Sequence, residues 1–161
     1  MKRVWIVMLA VVLTLTVLTA CQSDKDKASS GASVDLNKVM TDINSNYDLG
    51  EMKTVEDTKG LNRYYKVEAD DVKQFAAEFS PSGTDYTEVI MIEGTDADAT
   101  GRIADALSEH LNKQLIDAKR YHPDKVTSLE ACEVQQSDNF VYLVICDQYD
   151  DIVNTISEAL H

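Results

Sequence analysis

The chain has 161 residues with 28 acidic and 15 basic side chains, which gives a formal net charge of −13. Such an acidic protein is a poor candidate for nucleic-acid binding, because that function relies on a basic face. It is also not expected to dock electrostatically onto anionic lipid headgroups. The acidic surface leaves room for cationic ligands or divalent metals.

The N-terminus has the plan of a secretory signal peptide. Lys2 and Arg3 form a basic start, an almost wholly aliphatic run covers 4–17, and a Leu-Thr-Ala triplet leads directly into Cys21. A cysteine at this position predicts lipoprotein processing, in which Cys21 receives diacylglycerol and becomes the first residue of the mature chain. The alternative is an uncleaved transmembrane helix, for which about 17 apolar residues is the lower limit.

Three segments are therefore expected along the chain. Residues 1–20 are the predicted signal peptide, 21–33 the lipidated cysteine with a flexible tether rich in Ser, Gly and charge, and 34–161 a single globular domain. Cleavage of the signal peptide would remove Lys2 and Arg3 but no acidic residue. The mature chain would then have 13 basic and 28 acidic residues, a net charge of −15. Two acyl chains hold a protein stably on a membrane, so the expected location is the extracytoplasmic face of the cell membrane.

The spacing of apolar residues predicts the first elements of the domain. A helix is predicted over 34–46, a polar loop over 48–60 and a short helical turn over 61–65. Strands are predicted over 72–80 and 86–93, and the Ser-Pro-Ser-Gly turn between them makes a hairpin the natural arrangement.

The second half follows the same logic. A long helix is predicted over 95–120 from apolar residues four apart, and Pro123 ends it. A second hairpin is predicted from 129–135 and 140–146, and a last helix over 150–160. The expected fold is α+β, a two-layer sandwich. Its antiparallel sheet of about four strands comes from two hairpins joined by the long helix, and its helices lie mainly on one face.

Several segments resemble a family of short, clostridial-type bacterial lipoproteins, the domain of unknown function 4358. These segments are Leu61–Tyr65, Asp71-Val72, Ser80-Pro81, Glu88–Glu93, Tyr121–Pro123 and Asn139–Val144. The resemblance covers roughly 34–161 and departs from the family at Asp138, where a glycine is expected before Asn139. It implies a location on the outer face of the cytoplasmic membrane of a Gram-positive bacterium, and it carries over no catalytic residue.

Two patterns resemble metal sites. Asp96, Asp98, Thr100 and Gly101 match positions 1, 3, 5 and 6 of a calcium-binding loop, but Leu107 stands at position 12, where a bidentate acid is needed. We interpret this stretch as an acidic helix N-terminus. The three histidines, His110, His122 and His161, do not have the spacing of zinc ligands. His110 is expected to be a half-buried residue of the long helix. No metal or cofactor is predicted.

The two cysteines of the domain raise the question of a disulfide, because exported proteins meet oxidising conditions. The predicted hairpin places Cys132 near residue 143, so Cys146 lies about 10 Å further along the strand. Bridged Cα atoms lie within about 7 Å of each other. Two small buried thiols are the expected state.

Aromatic and acidic residues cluster in the first half of the domain. The aromatic residues are expected to build core, with a binding wall for sugar or peptide as the alternative; they are Tyr64, Tyr65, Phe75, Phe79 and Tyr86. The acids are interpreted as a solvated loop and not a cation site; they are Glu68, Asp70 and Asp71.

No P-loop, nucleophile elbow or paired glycine fingerprint occurs in the sequence, so no catalytic residue is predicted. Cys21, the lipidation site, is the one residue assigned. The favoured hypothesis is a non-enzymatic, lipid-anchored binding or accessory module at the cell envelope, with an envelope protein or membrane complex as candidate partner. Two alternatives stay open: a small envelope hydrolase, which needs a concave polar cleft, and a weak divalent-cation-binding protein.

Overall fold

A five-stranded antiparallel sheet forms the centre of the structure, a computed structural model that describes residues 34–161. The strands, in the spatial order β1-β2-β3-β5-β4, are β1 (Lys53–Thr54), β2 (Val72–Phe79), β3 (Glu88–Gly94), β4 (Val134–Ser137) and β5 (Phe140–Ile145). The predicted α+β class is confirmed, and so are the two hairpins β2–β3 and β4–β5. The two-residue β1 adds a fifth strand in a segment predicted to be loop.

Five α-helices accompany the sheet within residues 34–161. They are α1 (Leu36–Asn46), α2 (Thr58–Tyr65), α3 (Ala97–Tyr121), α4 (Val126–Glu130) and α5 (Tyr149–Leu160). The helices predicted at 34–46, 61–65, 95–120 and 150–160 correspond to α1, α2, α3 and α5 and are confirmed. Within the described residues, no helix combines the length and the apolar character needed to cross a bilayer. The predicted signal peptide, Cys21 and the tether lie outside the described residues.

The central strand β3 explains where the helices lie. All seven of its residues are buried, because Val89 and Met91 point to one face of the sheet and Ile90 and Ile92 to the other. Helices α2, α3 and α4 cover the face of Ile90, and α1 and α5 cover the face of Val89. An unbroken apolar run buries both of its faces, so α1 and α5 cover the face opposite the long helix α3.

Aspartate side chains begin three of the helices. The side chain of Asp35 accepts from the amide of Asn37 at the start of α1, at 3.0 Å. Asp57 accepts from Gly60 at 2.7 Å in α2, and Asp96 accepts in α3 from the amide three residues on, at 2.8 Å. Such caps satisfy backbone donors that the first helical turn leaves free.

The second hairpin differs from its prediction. The strand predicted over 129–135 is wrong at its start, because residues 126–130 are helical and β4 begins at Val134. Ser137 pairs with Phe140, so the turn consists of Asp138 and Asn139. Asp138 has a φ of 49°, in the left-handed region that favours glycine. The glycine expected before Asn139 is therefore replaced by an aspartate that adopts a glycine-like conformation.

Candidate functional site

A pocket opens on the α3 face of the sheet, where β2 ends and β3 begins. In the register of these strands Phe79 lies directly opposite Glu88, and the loop 80–87 connects them. The cavity has a volume of about 260 Å³. We call it the Glu88 pocket and define it by its principal lining residues, Tyr64, Tyr65, Phe79, Tyr86, Glu88, His110, Gln114 and Asp117.

Two helices deliver the remaining side chains to this end of the sheet. His110, Gln114 and Asp117 follow one another on α3 at spacings of four and three, which places them on one face of the helix. Tyr64 and Tyr65 lie at the end of α2. The pocket therefore combines a strand pair, a loop and two helices.

A buried carboxylate, Glu88, lies at the base of the pocket with an exposure of 6 %. Its Oε2 lies 2.8 Å from Nε2 of His110, and its Oε1 accepts from the Gln114 amide at 2.7 Å. A carboxylate offers about four acceptor positions, so these two contacts leave capacity for further donors. The side chain of His110 is only 14 % exposed, which confirms the predicted half-buried residue and supplies the partner that the prediction lacked.

Aromatic rings form the walls. The rings of Tyr64 and Phe79 lie with centroids 4.8 Å apart and planes tilted by 51°. Tyr65 meets His110 edge-on at 4.8 Å, and burial, then the nearby Glu88, raise the pKa of the Tyr65 phenol above its usual value. Four of the five clustered aromatic residues line the pocket, whereas Phe75 packs against the hydrophobic core. The expected core role is confirmed for Tyr65 and Tyr86, which belong to the buried core, and for Phe75 and Phe79, which pack against it.

Hydrogen bonds fix two more carboxylates at the mouth. The hydroxyl of Tyr86 donates to Asp117 at 2.7 Å, and burial, then this hydrogen bond, raise the pKa of Tyr86 to about 12. Asp85 accepts from the amide and hydroxyl of Thr87, at 3.1 and 2.8 Å. Burial raises the pKa of Asp85, but hydrogen bonds from Thr87 and Ser80 outweigh that effect and hold it below its usual value.

The stretch from Asp96 to Gly101 is the start of α3, as interpreted from the sequence. Asp96 is the cap, and Leu107, at the position where a calcium loop needs an acid, is fully buried. His122 ends the same helix and lies edge-on to Tyr86 at 5.8 Å, and His161 is exposed. The described residues contain no group of three or more His, Cys, Asp or Glu side chains placed to hold a metal ion.

The solvated-loop interpretation is wrong for Asp71. This residue is 9 % exposed, and Arg102 donates to both of its oxygens, from Nε at 3.0 Å and from a terminal nitrogen at 2.5 Å. The hydrogen bond from Arg102 is the main reason that the pKa of Asp71 lies below its usual value, although burial opposes it. Glu68 and Asp70 are exposed, as predicted.

Cys132 and Cys146 are both free thiols, as expected, the first buried and the second partly buried. The predicted register between them is wrong, because Val134 and not Cys132 lies opposite Leu143. The thiols line one small cavity at the open end of the hairpin. Burial raises the pKa of Cys132 to about 11 and also raises the pKa of Cys146.

Sequence reasoning missed three residues of the pocket. Glu88, Gln114 and Asp117 received no role, although two signals were present. An acid stands directly before the apolar run 89–92 at Glu88, and polar residues recur at helical spacing after His110. Together these signals indicate a polar contact between a strand end and a helix face.

A family model matches residues 45–146, well over half of the chain and all of the Glu88 pocket. The chain belongs to the family of the domain of unknown function DUF4358. No curated protein and no solved structure matches the chain. The principal pocket residues of this DUF4358 domain, from Tyr64 to Asp117, lie inside the matched segment.

Proposed function

We propose that this protein is a lipid-anchored, extracytoplasmic binding module of the cell envelope, without enzymatic activity, whose ligand site is the Glu88 pocket. The observation that carries the proposal is a buried carboxylate held by His110 and Gln114 at the base of an aromatic-walled cavity. Ligand sites are concave, mostly apolar and contain a few converging polar groups. A volume of about 260 Å³ suits one small molecule.

The sequence before the domain supports the anchor. A basic start, an apolar run and Cys21 after Leu-Thr-Ala make up a lipoprotein signal. The acidic domain would be repelled by anionic headgroups, so the lipid on Cys21 would hold the protein at the membrane while the tether 22–33 lets the domain stand off it. The family resemblance points to a Gram-positive envelope, with an envelope protein or membrane complex as candidate partner.

The contacts of His110 favour binding over hydrolysis. A hydrolase built on this residue needs a nucleophile hydrogen-bonded to the ring, with the acid on the ring's other nitrogen. Among the described residues, the hydrogen-bonding contacts of the His110 ring are Glu88 and Gln114, both through Nε2. Ser80 and Ser82 line the same pocket, so they define the residues to mutate if an activity is found.

Saturation-transfer NMR on the full chain in an uncharged detergent tests the pocket. We expect that at least one fragment from a set of sugars, amino acids and short peptides binds the wild type. Binding should be lost in Tyr64→Ala, which removes a wall residue that is 36 % exposed. It should persist in Tyr121→Ala, a control that is 62 % exposed and lies outside the pocket. Equal signals in wild type and Tyr64→Ala would contradict the proposal, and turnover of a fragment that His110→Gln abolishes would favour the hydrolase.

Intact mass and membrane fractionation test the anchor independently. Wild type should carry a diacylglyceryl increment and sediment with membranes, whereas Cys21→Ala should stay unprocessed. A wild type that differs from Cys21→Ala only by the mass of the substitution would reduce the N-terminal segment to an ordinary anchor or secretory signal.

A further inference from the structure

We propose that the Glu88 pocket selects a sugar-sized molecule that carries a protonated amine. This inference rests on the proposed function, because it assigns a ligand class to the same pocket. It makes the net charge of the ligand, and not its shape alone, the basis of selection.

The charge of the lining residues is the first argument. Asp85, Glu88 and Asp117 contribute three carboxylates, and no Lys or Arg is among the residues that line this part of the described chain. His110 is the one basic side chain in the lining, and it is already hydrogen-bonded to Glu88. Carboxylates that line a partly enclosed cavity attract cations and repel anions, and the low-dielectric walls strengthen both effects.

The second argument is that the described contacts of Glu88 include no permanently charged partner. The contacts that Glu88 makes within residues 34–161 are to an amide and an imidazole. Glu93, equally buried on the same strand, lies instead 2.5 Å from the ammonium of Lys73. Buried carboxylates are costly unless a cation and hydrogen bonds accompany them. A ligand ammonium would give Glu88 the compensation that Lys73 gives Glu93.

The aromatic walls supply the third argument. An ammonium within about 6 Å of a ring centroid is attracted by the face of the ring. Phe79 already makes such a contact with Lys53, a residue outside the pocket lining, whose ammonium lies 5.9 Å from the ring centroid. Tyr64 and Phe79 lean against each other at 51°, so their surfaces offer both a cation contact and an apolar face for a sugar ring.

The remaining polar groups favour a hydroxylated ligand over a plain alkylamine. Ser80 and Ser82 of the loop 80–87 line the cavity, and the described contacts of Gln114 use its amide nitrogen, which leaves the amide oxygen as an acceptor near Glu88. A cavity of about 260 Å³ has room for a single small ring with its substituents. An amino sugar combines the ring, the hydroxyls and the positive charge.

Three probes built on the same sugar ring test the inference: glucosamine, glucose and glucuronate, which are cationic, neutral and anionic. Saturation-transfer NMR on the full chain, at pH 7 and low salt, gives the dissociation constants. We expect glucosamine to bind at least tenfold more tightly than glucose, and glucuronate not to bind. Added salt should weaken glucosamine binding, because it screens charge.

Two pairs of variants identify the carboxylates. Glu88→Gln should weaken glucosamine binding at least tenfold, whereas Glu93→Gln, matched in burial, strand and chemistry, should not. Asp117→Asn removes the charge of this exposed residue at the mouth but keeps its size and shape, and it should weaken binding several-fold. Asp105→Asn on the same helix is its control. Both residues of the Asp117 pair are exposed, so neither substitution changes the hydrophobic core.

Each other outcome has one meaning. If glucose or glucuronate binds as well as glucosamine, the amine inference is overturned and the binding module stands. If all three probes fail while other fragments still bind in a Tyr64-dependent way, only the ligand class is overturned. If glucosamine binds equally to wild type, Glu88→Gln and Asp117→Asn, the carboxylates do not select the charge and the inference fails.

Discussion

Glu88 and Glu93 stand at opposite ends of β3 and on opposite faces of the sheet, and each is only 6 % exposed. Glu93 accepts from Lys73 at 2.5 Å and from the Gln74 amide at 2.6 Å. The same amide donates to the carbonyl of Val34 ahead of α1, at 2.7 Å. Glu93 thus belongs to a network that ties α1 to the sheet. Glu88 instead faces a cavity, and its described contacts, His110 and Gln114, include no permanently charged group.

Replacement of Glu93 by alanine tests the structural role of this network. We expect Glu93→Ala to lower the free energy of unfolding by about 1–3 kcal/mol, because the partly buried Gln74 amide loses its acceptor. Urea denaturation followed by circular dichroism measures the change. Glu109→Ala is the control, since it removes only an exposed helical pair with Lys113, which contributes about 0.5 kcal/mol or less. Similar losses in both variants would contradict the network.

The junction of β3 and α3 depends on a glycine. A Cβ atom on Gly94 would lie 2.4 Å from the Thr100 hydroxyl and about 3 Å from the backbone of the same residue. Because the backbone cannot move aside as a side chain can, Gly94→Ala should lower the free energy of unfolding by roughly 1–3 kcal/mol. Gly101→Ala is the matched control: nothing lies within 4 Å of its Cβ position. Thermal unfolding should show a gain of roughly 0.5–1 kcal/mol there, from helix propensity. Equal effects would mean that no close approach exists at Gly94.

The sequence was sufficient wherever one periodicity dominated. The apolar run 89–92 identified the central strand, and apolar residues four apart identified α3. The second hairpin was misplaced because several consecutive polar residues, from Gln135 to Asn139, can each form the turn. The choice depends on which of them adopts a positive φ, and Asp138 does so without the glycine that would have marked it.

The site was harder to predict for a different reason. Glu88 meets His110 and Gln114 across 22 and 26 residues of chain, and their contact depends on how α3 crosses the sheet. Spacing along α3 shows that His110 and Gln114 share a face, but it does not show which strand end that face meets. Asp71 was misjudged in the same way, because Arg102, its partner, lies 31 residues on.

The Asp71–Arg102 pair should contribute to the acid dependence of stability. The pKa of Asp71 is lowered in the folded state, so its contribution is present above the unfolded value of about 3.9 and is lost as the pH falls through the lower folded value. Arg102→Met should flatten the loss of stability below about pH 4. Denaturant unfolding at pH 6, 4 and 3 measures this, with Arg63→Met, a basic residue of α2 outside this pair, as control. Parallel acid profiles for wild type and Arg102→Met would contradict the prediction.

The thiols of Cys132 and Cys146 should react slowly in the folded protein. Burial raises the pKa of both, to about 11 for Cys132, and the thiolate is the reactive form. At pH 7.5 we expect iodoacetamide to label them more than tenfold more slowly in native buffer than in urea, as followed by the mass of the peptides. Labelling at the unfolded rate in native buffer would show that the hairpin end is open.

Tyr86 should make stability fall at alkaline pH. Its pKa is raised to about 12 in the folded state, against about 10 in the unfolded chain. The folded form therefore keeps its proton where the unfolded form loses it, so stability is full below about pH 10 and is lost between about pH 10 and 12. Tyr86→Phe removes the hydrogen bond to Asp117, so we expect a loss of about 1–2 kcal/mol at pH 8 and a shallower decline above pH 10. Tyr65, whose pKa is also raised, is present in both proteins, so their difference isolates Tyr86. Urea denaturation at pH 8, 10 and 11 measures both effects, with Tyr121→Phe, a change at an exposed tyrosine, as control. If the free energy of unfolding falls as steeply above pH 10 in Tyr86→Phe as in wild type, Asp117 does not hold the phenol.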